Sequence, residues 1–224
     1  MMFFQLWGLV LTLVVFFISK RISKYIKKLP PILLSGVFII VFLKYFNIPF
    51  EEYNKSANIL TNLLGPATIA LGYPLCNNLH FLGKNKRAIY IGFVVAILTA
   101  LISVYILGNL LHLNQELIMS LLPKSITTPL AVETSNKIHG IPQITACIVF
   151  LTGLFGAVFS HDILKFFKIK SDIAKGIAIG ASSHVMGTSS CIEKNKDVQI
   201  TFSTIALIIV GIITSLCCVA FFKL

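Results

Sequence analysis

Leu121-Leu122-Pro123-Lys124-Ser125-Ile126-Thr127-Thr128-Pro129-Leu130-Ala131-Val132 is the stretch that decides how this chain is read. Two prolines, a lysine and three hydroxyls interrupt what is otherwise an apolar segment. Proline removes a backbone donor and breaks a helix. A broken helix at membrane depth is stable only where protein or a water-filled cavity surrounds it. A charge at that depth is costly and marks a functional site by default. The stretch therefore requires a polar cavity inside a bilayer.

The rest of the chain supplies the bilayer signal. Of 224 residues, 56% are hydrophobic and only 12% charged, against about 25% charged in a soluble domain. The mean hydropathy is +0.89. These values predict an all-α integral membrane protein, with residues 1–224 forming a single domain. At about 20 residues per segment plus loops, that length accommodates about seven or eight membrane segments. The net charge of +11 sits in short connectors between apolar runs, which is the pattern of cytoplasmic loops rather than of a nucleic-acid surface. Cys76, Cys147, Cys191, Cys217 and Cys218 form neither a CxxC pair nor a metal-ligand spacing with histidine, so no metal, cofactor or disulfide framework is expected. No P-loop, HExxH or nucleophile–base pattern is present in the sequence. Ser183-His184 alone is not a triad, and an enzyme is not expected.

Residues 3–19 form the first apolar segment. No basic region precedes it, and Lys20, Arg21, Lys24, Lys27 and Lys28 follow. It therefore reads as a membrane helix ending in the cytoplasm, not as a cleavable signal. Pro30-Pro31 opens a second segment at 32–46. An external loop at 48–56 holds Glu51 and Glu52. A third segment at 57–82 carries Asn62, Gly65, Pro66, Thr68 and Pro74, so it should break near its centre. The fourth, 88–110, is a plain apolar scaffold, followed by a short external loop with His112 and Glu116. The fifth, 115–138, contains the opening motif. The sixth, 143–159, holds Gly153 and Gly156, while His161 and Asp162 beyond its end read as interfacial. The seventh, 172–190, is poor in large side chains, and its Gly176-x-x-x-Gly180 step lets helix backbones approach closely. The eighth is 198–222.

Two organisational questions stay open at this level. Segments three and five each read as an apolar lead, a proline, hydroxyls and a second proline. Paired interruptions of this kind point to an internal inverted repeat around a transporter site. If segment five crosses fully, Lys165, Lys168, Lys170 and Lys175 fall outside, against the positive-inside bias. If it is re-entrant, they fall inside, and segment seven could likewise be a hairpin. At least one re-entrant segment is the preferred reading.

Lys124 is the sharpest site candidate. A lysine beside a broken helix can bind a small carboxylate, and the N-terminus of a half-helix adds N–H donors and a favourable dipole. Ser125, Thr127 and Thr128 are its polar partners, with Asn62 and Thr68 contributed by segment three. The bland alternatives for Lys124 are a structural pair with Glu133 or snorkelling to the surface. Glu133 can instead pair with Lys137 at i, i+4. Glu133 and His184 are the candidates for ion or proton coupling, since histidine titrates near pH 6.5; the bland alternative for His184 is a hydrogen-bonded packing histidine. His184, Gly187 and Thr188 form the opposite wall of the site. Gly65, Pro66, Pro74, Pro123 and Pro129 are the expected helix breaks.

At these motifs the chain resembles the LrgB/CidB family of bacterial membrane proteins. The matching blocks are Leu64-Gly65-Pro66-Ala67-Thr68-Ile69-Ala70-Leu71, the Pro123–Pro129 block and its flanks, and Gly140-Ile141-Pro142. They continue with Leu151-Thr152-Gly153-Leu154-Phe155-Gly156-Ala157 and Ala174-Lys175-Gly176-Ile177-Ala178-Ile179-Gly180, then His184, Gly187-Thr188 and Glu193. The chain departs at Ser190, where family members often carry an arginine. An anion-binding role for that arginine does not carry over. The resemblance implies a multi-pass protein of the bacterial cell membrane and substrates of one class, small 2-hydroxy- or 2-oxo-monocarboxylates such as glycolate, lactate or pyruvate. It equally implies an antiholin-like role in murein hydrolase control and lysis, beside an LrgA/CidA-type partner. Homo-oligomerisation is expected. The lysine and hydroxyls at a broken helix favour the carboxylate transporter.

Overall fold

The computed structural model describes residues 6–25, 31–63, 86–194 and 196–222, with the single positions Pro66, Ile69, Tyr73 and Gly83. Among the described residues the chain is entirely helical, without strands. Its helices are α1 (Trp7–Ser23), α2 (Pro31–Tyr45), α3 (Phe50–Asn62), α4 (Lys86–Leu110), α5 (Gln115–Leu121), α6 (Thr128–Lys137), α7 (Pro142–Phe166), α8 (Asp172–Glu193) and α9 (Asp197–Phe222). They fall into two compact units, Met1–Ile69 and Ala70–Leu224.

In the first unit α1 packs on α2 and α3. The Gly8 N–H donates to the Ser56 hydroxyl at 3.1 Å, a close approach that a Cβ at position 8 would block. Thr12 and Tyr53 share a hydroxyl–hydroxyl bond of 2.7 Å, and Trp7 meets Tyr53 edge to face. The loop expected at 48–56 is instead largely the start of α3. Pro49 precedes that helix, and Glu51 and Glu52 occupy its first turn, where they complement the dipole.

The second unit is built on three helices long and apolar enough to cross a membrane, α4, α7 and α9. On α4, Ile89, Phe93, Ile97, Leu101, Val104 and Gly108 face the core, while Tyr90, Val94, Val95, Leu98, Ile102 and Ile106 are exposed. A helix apolar on all sides suits a hydrocarbon solvent. The core joins α4, α8 and α9 with Met119, Leu122 and Ile138. Among the described residues three helices are long enough to span and α2 is a shorter apolar helix; most of the third predicted segment lies outside the described residues, and two of the other predicted segments fold back.

Segment five folds back on itself. Ser120, in α5, and Ser135, near the end of α6, both bond the Thr145 hydroxyl of α7, through the Ser120 carbonyl at 2.9 Å and the Ser135 Oγ at 2.7 Å. A continued helix would carry Ser135 more than 20 Å beyond Ser120, at about 1.5 Å per residue. Ile126, between them, packs instead on Val149 and Ala131. The chain therefore rises along α5, turns at Leu122–Thr127 and descends along α6.

Segment seven does the same. Inside α8, Ser183 (φ −136°, ψ 15°) and His184 (φ 44°, ψ −139°) leave helical geometry. Gly180 lies against the Ser203 backbone, and Cys191 reaches the Ser203 hydroxyl. Eleven residues of straight helix would separate them by about 16 Å. Gly187 also sits against the Ile179 carbonyl. We term α5–α6 hairpin 1 and α8 hairpin 2.

The hairpins enter from opposite ends. Gly108 of α4 packs on Ile118, Ile141 at the start of α7 bonds Ser120, and Tyr105 stacks on Phe222 at the end of α9. Hairpin 1 therefore enters beside the ends of α4 and α9. At the other end, Gly92 of α4 neighbours Ile177, and Asp172 accepts from the Gln199 amide at 2.8 Å. Hairpin 2 enters there. Lys86, Arg87, Lys165, Lys168, Lys170, Lys175, Lys194 and Lys196 all belong to this second end.

Candidate functional site

The tips of both hairpins meet the middle third of α7. Tip 1 reaches it at Val149, where Ile126, Ala131 and Val149 are buried together. Tip 2 reaches it at Val149, Gly153 and Gly156. His184 bonds the Val149 carbonyl at 3.0 Å, and Gly153 and Gly156 lie so close to His184 and Ser183 that a Cβ at either position would overlap them. Val149 thus serves both tips, one with its side chain and the other with its carbonyl.

Tip 1 carries the opening motif. Pro123, Ser125, Ile126 and Thr127 are buried, and Lys124 is half-buried. The turn is closed by Lys124 N–H to Leu121 O at 3.1 Å and by Ile126 N–H to Pro123 O at 3.3 Å. Thr127 is the N-cap of α6, but its side chain makes no capping bond, and Pro129 occupies the first turn, where proline is tolerated. Ser125 is 5% exposed, and its hydroxyl has no hydrogen-bond partner among the described residues. Among the described residues no carboxylate pairs with Lys124. An ammonium, a buried hydroxyl and an uncapped helix N-terminus therefore converge on one turn. Unmet donors of that kind suit an anion.

Glu133 does not pair with Lys124 but bonds Lys137 at 3.4 Å, with 61% of its side chain exposed. Pro129 lets α6 start afresh, so Glu133 is set by α6 alone and not by its distance from Lys124 in sequence.

Tip 2 is strained. A histidine at φ 44°, ψ −139° occupies a region favoured by glycine, at a cost of about 1–3 kcal/mol. The packing that holds it includes Gly153, the Val149 bond, and the Thr188 hydroxyl, which donates to the His184 carbonyl at 3.0 Å. A carbonyl can only accept, so His184 Nε2 carries the hydrogen in that bond and Nδ1 is the nitrogen left over. Gly187 and Thr188 are buried just past the turn, and Ser190 bonds the Gly187 carbonyl.

The structure thus gathers Pro123, Lys124, Ser125, Thr127, Thr128 and Pro129 on one tip, and His184, Gly187 and Thr188 on the other. It does not bring Asn62 to them within a unit: that residue is exposed in the last turn of α3, in the first unit. Pro66 is exposed. Gly65, Thr68 and Pro74 lie outside the described residues. Three features escaped the sequence reading. One is the break at Ser183–His184, which no proline announces. Another is the Val149 carbonyl, since a backbone group has no sequence signature. The last is the buried Ser120–Ser135–Thr145 hydroxyl set at the foot of hairpin 1, whose members sit in three separate helices.

Comparison with known proteins gives a consistent picture. The model of the LrgB-like family matches residues 12–224. Protein YwbG of Bacillus subtilis (strain 168) is 35% identical over 98% of both chains. A protein of Haemophilus influenzae is 34% identical over 96% of this chain and 93% of its own. The antiholin-like protein LrgB of Bacillus mycoides (strain KBAB4) is 33% identical over 93% of this chain and 91% of its own. No solved structure matches. Apolar spans, broken helices and a family match over nearly the whole length agree: this chain is an integral membrane protein of the LrgB-like family.

Proposed function

We propose that the protein is a membrane transporter of small 2-hydroxy- or 2-oxo-monocarboxylates, of the glycolate, lactate and pyruvate class. The observation that carries this is tip 1: a half-buried lysine without a carboxylate partner, a buried unbonded hydroxyl and an uncapped helix N-terminus in one turn. Lys124 and the α6 N-terminus would hold the carboxylate. Ser125, Thr127 and Thr128 would bond its oxygens or the adjacent hydroxyl or keto group. His184, Gly187 and Thr188 form the facing wall. Opposed broken helices whose tips share one span are the arrangement in which substrate is held near the bilayer midplane.

Coupling falls to His184 before Glu133, because Glu133 is exposed and neutralised by Lys137. The end bearing eight basic residues is the cytoplasmic one by the positive-inside rule, which removes the conflict a fully crossing segment five would create. The setting is a bacterial cell membrane, with an LrgA/CidA-type protein and further copies of this chain as partners.

The test is flux. The protein is reconstituted alone and with an LrgA-type partner, and uptake of glycolate, lactate and pyruvate is measured with and without a pH gradient. Saturable uptake is expected, and its absence in both samples rejects the transporter. Lys124→Ala should abolish most uptake; full uptake removes that lysine from the site. A second reading, lysis control by assembly, is favoured by the antiholin-like name of several relatives. It predicts lysis phenotypes that survive Lys124→Ala.

A further inference from the structure

The two tips are fastened very differently. Tip 1 is stiff. Pro123 and Pro129 fix the backbone at both of its ends, two backbone bonds close its turn, and Leu122, Pro123, Ser125, Ile126 and Thr127 are all buried. Its foot is locked to the spans by polar bonds: Ile141 N–H to Ser120 Oγ at 2.7 Å, Thr145 to Ser120 and Ser135, and Thr134 to Ser215 at 2.6 Å. Hairpin 2 is anchored along its arms, where Gly176 and Gly180 lie on the α9 backbone and Gln199 bonds Asp172. Its tip seats Ser183, His184 and Met186 on Gly153 and Gly156, and the side-chain bond from there to α7 is His184 to Val149. Ser182 and Val185, on either side of the turn, are exposed, and His184 is held in a strained backbone conformation. The surface beneath it is glycine, without side chains to interlock.

We propose that tip 2, residues 182–187, is the moving gate of the site, that tip 1 is its fixed floor, and that the His184–Val149 bond is the latch. This rests on the transporter reading and names how its site opens. The latch ties gate to floor directly, because the residue whose carbonyl receives His184 packs its side chain on Ile126. Opening then exposes the site toward the basic end of the unit, from which hairpin 2 enters.

Hydrogen exchange by mass spectrometry on the unmodified protein in nanodiscs tests this without substrate. Amides of 182–187 should exchange at least about tenfold faster than those of 122–127, since local opening frees the less fastened segment first. Equal exchange, or faster exchange at 122–127, overturns the assignment. Gly156→Ala supplies an independent check, because its Cβ would meet Ser183 and displace the tip. Exchange at 182–187 should rise further while that at 122–127 stays within about threefold, and glycolate flux should fall about tenfold or more; unchanged flux with unchanged exchange at 182–187 also overturns it. If wild-type protein neither binds nor moves glycolate, lactate or pyruvate, the transporter reading fails, and the exchange contrast still decides whether tip 2 is the mobile element.

Discussion

Replacing Thr145 by valine should loosen hairpin 1 by an amount the structure fixes within narrow bounds. The substitution keeps shape and removes one hydroxyl. That hydroxyl donates toward two acceptors, the Ser120 carbonyl at 2.9 Å and Ser135 Oγ at 2.7 Å. Side-chain bonds between membrane helices contribute about 0.6 kcal/mol on average and up to about 1.7. Two such contacts give about 1–3 kcal/mol. The expectation sits in the upper half of that range, because Ser120, Ser135 and Thr145 are all buried and both acceptors lose their donor. The assay is reversible unfolding in mixed micelles or by steric trapping, with Thr145→Ser as the variant that keeps the hydroxyl. A double-mutant cycle with Ser135→Ala sharpens it: the paired change should cost clearly less than the sum of the singles, by about 0.5 kcal/mol or more. Additive costs, or a Thr145→Val protein as stable as wild type, would mean that α5 and α6 do not straddle Thr145, and the hairpin itself would be refuted.

Three more outcomes follow from the same coordinates. Gly180→Val should cost several kcal/mol or prevent folding, because its side chain would enter the Ser203 backbone; thermal unfolding followed by thiol labelling measures it, and a stable variant would contradict the close α8–α9 contact. Glu133→Gln should change stability by less than about 1 kcal/mol, as expected for an exposed ion pair, and should leave the pH dependence of uptake unaltered; a lost pH response would return Glu133 to the coupling role. In a background without native cysteines, Lys168→Cys should react with an impermeant maleimide only from the cytoplasmic side and His139→Cys only from outside. Labelling of both from one side would contradict the entry of the hairpins from opposite ends.

Much of this was legible in the chain, for reasons that differ by residue. Pro123 and Pro129 announce the first break because proline has a local, unavoidable effect. The three spans follow from apolar length alone. For the second, a hairpin in segment seven was legible as a possibility but the position of its break was not. Its turn uses a histidine where glycine would be the expected sign, and the small residues around it read as helix-packing positions, which they also are. The paired break expected in segment three falls largely outside the described residues; within them the second broken helix is α8. The choice between crossing and returning was also hidden, because it depends on Thr145 reaching two residues 15 positions apart, a fact of tertiary packing with no local signature.

The shortness of the hairpin arms has a consequence for how the protein is made. Helix α6, ten residues long, spans about 15 Å and carries Thr128, Glu133, Thr134, Ser135, Asn136 and Lys137. It is too short and too polar to partition into lipid as it leaves the ribosome. Its foot is tied to Thr145 of α7 and its outer face to Ser215 of α9, both of which are synthesised later. Hairpin 1 can therefore complete its docking only once α9 has been made. Truncation anywhere before Ser215 would leave the opening motif without the helix it docks against, which makes α9 a checkpoint for assembly of the segment before it.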